Sequence, residues 1–155
     1  MDLSFWRCIL AQAENVISIE QDFNVGPDRL WEAITSRDEM VQWFFGNIPE
    51  FEARVGFETS FPVESTTRCF VHIWRVETVV PMKEIAYTWC YEHIDGEGRV
   101  VFRISPLPGN RSRLVLEKHG LHTFPKEIPE FSEENCRAGW NYFIKEQLAN
   151  YLSKS

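Results

Sequence analysis

The chain opens with a strand-like alternation. In "VISIEQDFNV", Ile17, Ile19, Gln21 and Phe23 fall on one face and Ser18, Glu20 and Asp22 on the other, the period of two that marks a half-buried strand. The rhythm then becomes helical. In "GPDRLWEAITS", Leu30, Trp31 and Ile34 share a face, and Pro27 suits the first helical position. "SRDEMVQWFFG" restarts a helix. Ser36 with Glu39 three residues on has the form of a capping box. Met40, Val41 and Phe44 make its apolar side, and Gly46 is placed to stop it.

Alternation returns from there to about Gly120. Phe57, Thr59 and Phe61 share one face; His72, Trp74, Val76 and Thr78 share another, opposite Ile73, Arg75 and Glu77. Ile85, Tyr87, Trp89 and Tyr91 follow in phase, then "RVVFRI", then Leu114 and Leu116. Asp95-Gly96 and Pro108-Gly109-Asn110 are turn signals. Strands joined by such short turns pair antiparallel.

The last stretch, "SEENCRAGWNYFIKEQLANYL", predicts one long helix. Ser132 is its cap, with Glu133 and Glu134 in the first turn, where carboxylates favour the helix dipole. Cys136, Trp140, Phe143, Ile144, Leu148, Tyr151 and Leu152 recur at helical spacing. Such a helix reaches about 30 Å, enough to cross a small sheet. Gly139 sits in its interior, at a cost of about 1 kcal/mol relative to alanine. The expectation is that Gly139 brings the helix backbone close to a strand, while Trp140 reaches into the space between helix and sheet.

Composition narrows the classes. A chain of 155 residues, 44% hydrophobic and 25% charged, suits one globular domain. A formal net charge of −7 argues against nucleic-acid or anionic-membrane partners, which call for clustered Lys and Arg. No apolar run approaches a bilayer span. Residues 1–14 read as an N-terminal extension and residues 15–155 as the domain. Asp2 and Arg7 do not suit a secretory leader, so a short helix carrying Phe5, Trp6 and Ile9 is expected, packed on the domain or on a neighbouring subunit. Cys8, Cys69, Cys90 and Cys136 contain no C-x-x-C pair, and reduced thiols in a cytoplasmic protein are expected. His119 and His122 form an H-x-x-H pair, but without a helix or a nearby carboxylate it is a weak metal signal, so no metal and no cofactor are assigned.

Taken in order, "PDRLW", "ITSRDEMVQWF", Gly56-Phe57, "VVPMKEIAYTW", "SRLVLEKHGL" and "GWNYFIKEQLANYL" resemble the START-like helix-grip (SRPBCC) superfamily. The branch they resemble is that of the C-terminal domain of the activator of heat-shock protein 90 ATPase. The resemblance covers about residues 16–152. It implies an α+β helix-grip fold: a curved antiparallel β-sheet wrapped around a long C-terminal α-helix, with two short helices after the first strand. It also implies a cavity between helix and sheet, which in this superfamily takes lipids, sterols, polyketides or plant hormones. Only some members are enzymes. Two positions depart from the branch. Val55-Gly56 stands where Gly-Gly is frequent, and Trp74 stands where a glycine is common, seven residues before Pro81.

The inward positions are unusually aromatic. Trp43, Phe57, His72, Trp74, Tyr87, Trp89, Phe102, Trp140 and Phe143 are the candidate ligand-binding residues, for a small hydrophobic or aromatic molecule. With Trp74 filling space that relatives leave open, a narrow apolar pocket walled by Trp74, Tyr87, Trp89, Trp140 and Phe143 is expected. No nucleophile–base pair or carboxylate pair converges, so no catalytic residue is assigned. Non-catalytic small-molecule binding is therefore the leading reading. The alternatives are a co-chaperone-like protein that stimulates a heat-shock protein 90 type ATPase, and a cyclase- or hydrolase-like enzyme using His72 with Tyr87. A chaperone partner and a homodimer are the further associations weighed.

Overall fold

The computed structural model describes residues 16–154; the expected N-terminal helix and Cys8 lie outside them. The order is β1 (Ile17–Phe23), α1 (Pro27–Thr35), α2 (Arg37–Trp43), β2 (Glu58–Glu64), β3 (Cys69–Val80), β4 (Glu84–Tyr91), β5 (Ile94–Leu107) and β6 (Arg111–His119). Two single-turn helices, Leu121–Thr123 and Pro129–Phe131, lead into the closing helix α3 (Glu133–Ser153). The six strands form one antiparallel sheet in the order β1-β6-β5-β4-β3-β2. Only β1 leaves its sequence neighbour. The chain passes through α1 and α2 between β1 and β2, which lie on opposite edges. This is the α+β helix-grip architecture, a curved sheet closed by a long C-terminal helix.

Side chains of alternating phase build the core. Ile17, Ile19 and Phe23 of β1, Trp74 and Val76 of β3, Ile85, Tyr87 and Trp89 of β4, and Leu114 and Leu116 of β6 are all buried. From the helices come Leu30, Ile34, Met40 and Trp43. Trp43 also donates its indole N–H to the Ala33 carbonyl at 2.8 Å, which fixes α2 against α1.

The closing helix is not α-helical throughout. It is α over Glu133–Asn141, π over Tyr142–Leu148, and α again over Ala149–Ser153. Its buried residues are Trp140, Ile144, Leu148 and Leu152, four residues apart each time. In an α-helix of 3.6 residues per turn, a step of four overshoots a full turn by about 40°. Repeated three times, the stripe would wind off the sheet. The wider π turns, with i→i+5 hydrogen bonds, take back that rotation and keep the stripe facing inward. Ser132 caps the helix as expected, accepting from the Asn135 amide at 3.1 Å.

Three local expectations are corrected. The Asp95-Gly96 signal is not the hairpin turn. Tyr91 pairs with Ile94, so the turn is Glu92-His93, with His93 at φ 62°. Asp95 and Gly96 lie instead in a bulge, where Cys90 alone faces residues 95–97 between the pairs Trp89–Gly98 and Tyr91–Ile94. Gly96 is needed there because its φ is 132° and the Phe124 ring lies against it. The second correction is at Ser36, which precedes α2 but whose hydroxyl caps nothing. The Glu39 carboxylate that a capping box would use is taken by Arg29 at 2.6 Å and by the Tyr151 hydroxyl at 2.8 Å, a link from α1 and α2 to α3. The third is Gly139. Outside its chain neighbours and its own helix backbone, no heavy atom of the described residues lies within 4 Å of the place its Cβ would occupy, so its backbone does not press on a strand. It faces open space.

Candidate functional site

That open space is part of a cavity. It has a volume of about 130 Å³ and is lined by Trp89 and Tyr91 of β4, Lys118 of β6, Glu130, and Asn135, Cys136, Gly139, Trp140 and Phe143 of α3. It lies between sheet and closing helix, towards the helix N-terminal half.

The rest of that interface is filled. Trp74 and Tyr87 are 1% and 0% exposed, with ring centroids 4.9 Å apart. Phe44 and Phe45, at the end of α2, insert from the other side. Phe44 stacks on Trp43 at 4.7 Å, lies 5.6 Å from Trp74, and meets Phe143 edge-on at 4.9 Å. Phe45 lies 5.9 Å from Trp89 and 5.0 Å from Phe143. Each aromatic side chain buries roughly 150–250 Å², so these rings together occupy most of the depth between helix and sheet.

The candidate residues thus divide. Trp89, Trp140 and Phe143 line the cavity. Trp43, Phe57, Trp74, Tyr87 and Phe102 are buried in the packed core beside it. His72 is also buried, stacked on Phe61 at 5.4 Å and edge-on to Tyr91 at 4.8 Å. Burial pushes its pKa down to about 4, against a weaker opposing effect of the Phe70 carbonyl at 3.3 Å from Nδ1. At neutral pH it is an uncharged imidazole. No hydrogen bond joins it to Tyr87, whose hydroxyl has no partner among the described residues.

The residue that the sequence reading missed is Lys118. It continues the inward phase of β6: Ser112, Leu114, Leu116 and Lys118 alternate with half-exposed neighbours. Its side chain is only 3% exposed. Among the described residues Nζ has no hydrogen-bond partner. It lies 4.5 Å from the centre of the Trp89 ring, and Gly98 of the adjacent β5, two residues before Lys118's register partner Val100, leaves it room, since a Cβ there would stand 3.0 Å from Nζ. Burial pulls the amine pKa from 10.5 down to about 7, against smaller opposing effects of Cys136 and Cys90. That drop corresponds to about 5 kcal/mol in favour of the neutral amine. A cation–π contact with Trp89 is worth about 0.5–2 kcal/mol for the charged form. Desolvation therefore prevails.

The other polar groups at the cavity are already engaged. The Trp89 indole donates to the Tyr91 hydroxyl at 2.7 Å, which leaves the Tyr91 proton free to be donated. Burial raises the Tyr91 pKa and keeps that proton in place. Glu130 accepts from Ser65 at 2.8 Å, a bond that lowers its pKa and ties the β2–β3 turn to the rim. Cys136 is half-buried, and burial raises its thiol pKa. The chemistry available is an unpartnered amine, about half of it neutral at pH 7, in an aromatic cleft that also holds a phenol keeping its proton.

A family model described as Activator of Hsp90 ATPase homolog 1-like protein matches residues 24–153. No curated protein matches. Among solved structures, a Chromobacterium violaceum protein shares 24% identity, with 89% of this chain and 96% of that chain covered and a TM-score of 0.74. A Mesorhizobium loti protein shares 24% identity, covers 91% of this chain and 98% of that one, and has a TM-score of 0.71. The Aha1 dimer from Colwellia psychrerythraea is similar at 14% identity, 89% and 96% coverage and a TM-score of 0.66. At these identities the neighbours show the fold. Among the described residues no helix is long and apolar enough to cross a membrane.

Proposed function

The chain belongs to the family of Activator of Hsp90 ATPase homolog 1-like proteins, and on that premise we propose that it binds a small aromatic molecule in the cavity between β4, β6 and α3. The observation that carries this reading is the cavity wall, where Trp89, Tyr91, Trp140 and Phe143 border one shared space. Its 130 Å³ lies below the usual ligand-pocket range of about 300–1,000 Å³. It is close to an apolar cavity of about 150 Å³ that holds a single benzene ring. Size therefore favours one ring over a lipid or sterol, and the packed rings of Phe44, Phe45 and Trp74 oppose anything longer.

The test is saturable quenching of tryptophan fluorescence by nitrobenzene, a single-ring quencher. Trp89 and Trp140 both line the cavity, so occupancy should be read directly. Gly139→Leu places a side chain in the open space beside the helix and should abolish the saturable component. Linear quenching of equal slope in both proteins would refute the reading.

A further inference from the structure

The cavity contains one group that aromatic binding does not need. Lys118 is 97% buried, taking its 3% exposure. Its Nζ has no hydrogen-bond acceptor among the described residues. A lysine usually keeps its ammonium in water while its stem covers apolar surface. Here the head group is inside, and Lys118 is one of the residues lining the cavity. No cavity-lining carboxylate pairs with it. Glu130, the one acidic residue of the lining, is held by Ser65 at 2.8 Å and Thr67 at 3.4 Å. A buried amine with no ion-pair partner has two uses in a binding site: to pair with an anionic ligand, or to act as a nucleophile.

The surroundings favour the second use. The Glu130 carboxylate on the lining and a formal net charge of −7 oppose the entry of an anion. The walls are aromatic, and the titratable groups facing the amine are thiols, a phenol and the His72 imidazole. We propose that Lys118 captures a small aromatic aldehyde or ketone as an imine, with the ring of the ligand held between Trp89, Trp140 and Phe143. This rests on the binding reading above and names its ligand class.

The step balances without an oxidant or reductant. The Nζ lone pair adds to the carbonyl carbon. The carbonyl oxygen gains a proton and Nζ loses one, giving a carbinolamine. The hydroxyl then takes a second proton and leaves as water, the remaining N–H proton is released, and the C=N bond forms. Tyr91, whose O–H has no acceptor in its bond with Trp89, lines the same space and is placed as a proton donor. The neutral amine that this step requires is abundant here. With a pKa of about 7, about half of the Lys118 amines are uncharged at pH 7. For an ordinary lysine the fraction is roughly one in several thousand. Loss of nucleophilicity at lower pKa takes back part of that advantage. The imine itself is uncharged at neutral pH and suits an apolar site better than an ammonium does.

The test is reductive trapping. Full-length protein is incubated at pH 7 with benzaldehyde and sodium cyanoborohydride, and the benzylated position is mapped by peptide mass spectrometry. One benzyl group on Lys118, at roughly ten times or more the yield at Lys83, Lys126, Lys145 or Lys154, is expected. Lys118→Arg should lose that adduct, and Lys118→Met should lose it while still showing saturable nitrobenzene quenching. Labelling spread evenly over the exposed lysines overturns the proposal. So does benzoate raising the melting temperature while benzaldehyde leaves no adduct, because the amine is then an ion-pair anchor. If nitrobenzene quenching saturates but no Lys118 adduct forms, the carbonyl proposal fails and the binding reading stands. If neither occurs, both fail.

Discussion

Replacing Lys118 by methionine should stabilise this protein at neutral pH, and the gain should vanish in alkali. The amine is 3% exposed and has no hydrogen-bond partner among the described residues. Burial is the main cause of its pKa of about 7 in the fold, against an ordinary 10.5. Above pH 7 the native state holds the amine mostly neutral, while the unfolded chain keeps it charged up to 10.5. The unfolded state therefore binds more protons across this window, and native stability rises with pH. The penalty is full below pH 7 and is gone by about 10.5. Its ceiling is about 5 kcal/mol from the two pKa values. Relaxation around the amine and lost contact with Trp89 reduce what a substitution recovers, so a gain of about 2–4 kcal/mol is expected at pH 7. Methionine is close in length and keeps a favourable sulfur–aromatic contact at Trp89. The assay is urea unfolding of both proteins at pH 7 and pH 10, and the quantity read is the difference between the two proteins. Common titrations of the tyrosines and cysteines then cancel. A variant that is less stable at pH 7, or one whose gain is the same at both pH values, would show that the Lys118 amine is solvated or paired and would refute the reasoning.

Other outcomes follow from the same packing. Gly139→Ala should raise stability by about 1 kcal/mol, or about 2–4 °C in Tm, because the helix gains propensity and the new Cβ meets nothing within 4 Å; a loss in thermal unfolding would mean that space is not open. His72, with its pKa lowered to about 4 mainly by burial, stays neutral in the fold while the unfolded chain takes up a proton below about pH 6.5. The wild type should accordingly lose up to about 3 kcal/mol between pH 6.5 and pH 4. His72→Phe, which fits among Phe45, Phe61, Trp89 and Tyr91, should flatten that part of the profile in urea titrations; an unchanged slope would assign the loss to other groups.

The outline of this protein is written in its periodicities. Period-two alternation gives the strands, and Pro27 and Ser132 mark where helices begin. Short turns then leave antiparallel pairing as the outcome. The inward direction of Trp74 and Tyr87 also follows from phase alone, because a strand side chain has only two faces to choose from. By the same count Lys118 was legible: it sits two residues after Leu116 and four after Leu114 in β6. A charged residue at the end of a strand reads as solvated unless something covers it. Whether anything does depends on residues distant in sequence, here Cys136 and Trp140 of the closing helix.

Tertiary structure decided the rest, for reasons of competition and volume. The Ser36–Glu39 pattern is a cap only if no stronger partner reaches Glu39, and Arg29 and Tyr151 do. Asp95-Gly96 is a turn only if the strands pair in that register, and the pairing puts the turn at Glu92-His93. Phe44 and Phe45 fill the space beneath the sheet because the chain leaves α2 pointing there, which no local pattern states. The cavity has the same origin. It is the volume left over when those rings, Trp74 and a glycine-bearing helix meet, and a remainder of that kind exists only once every side chain has a position. The sequence determined which residues face inward; only the packing of sheet against helix decided which of them touch one another and which face a space.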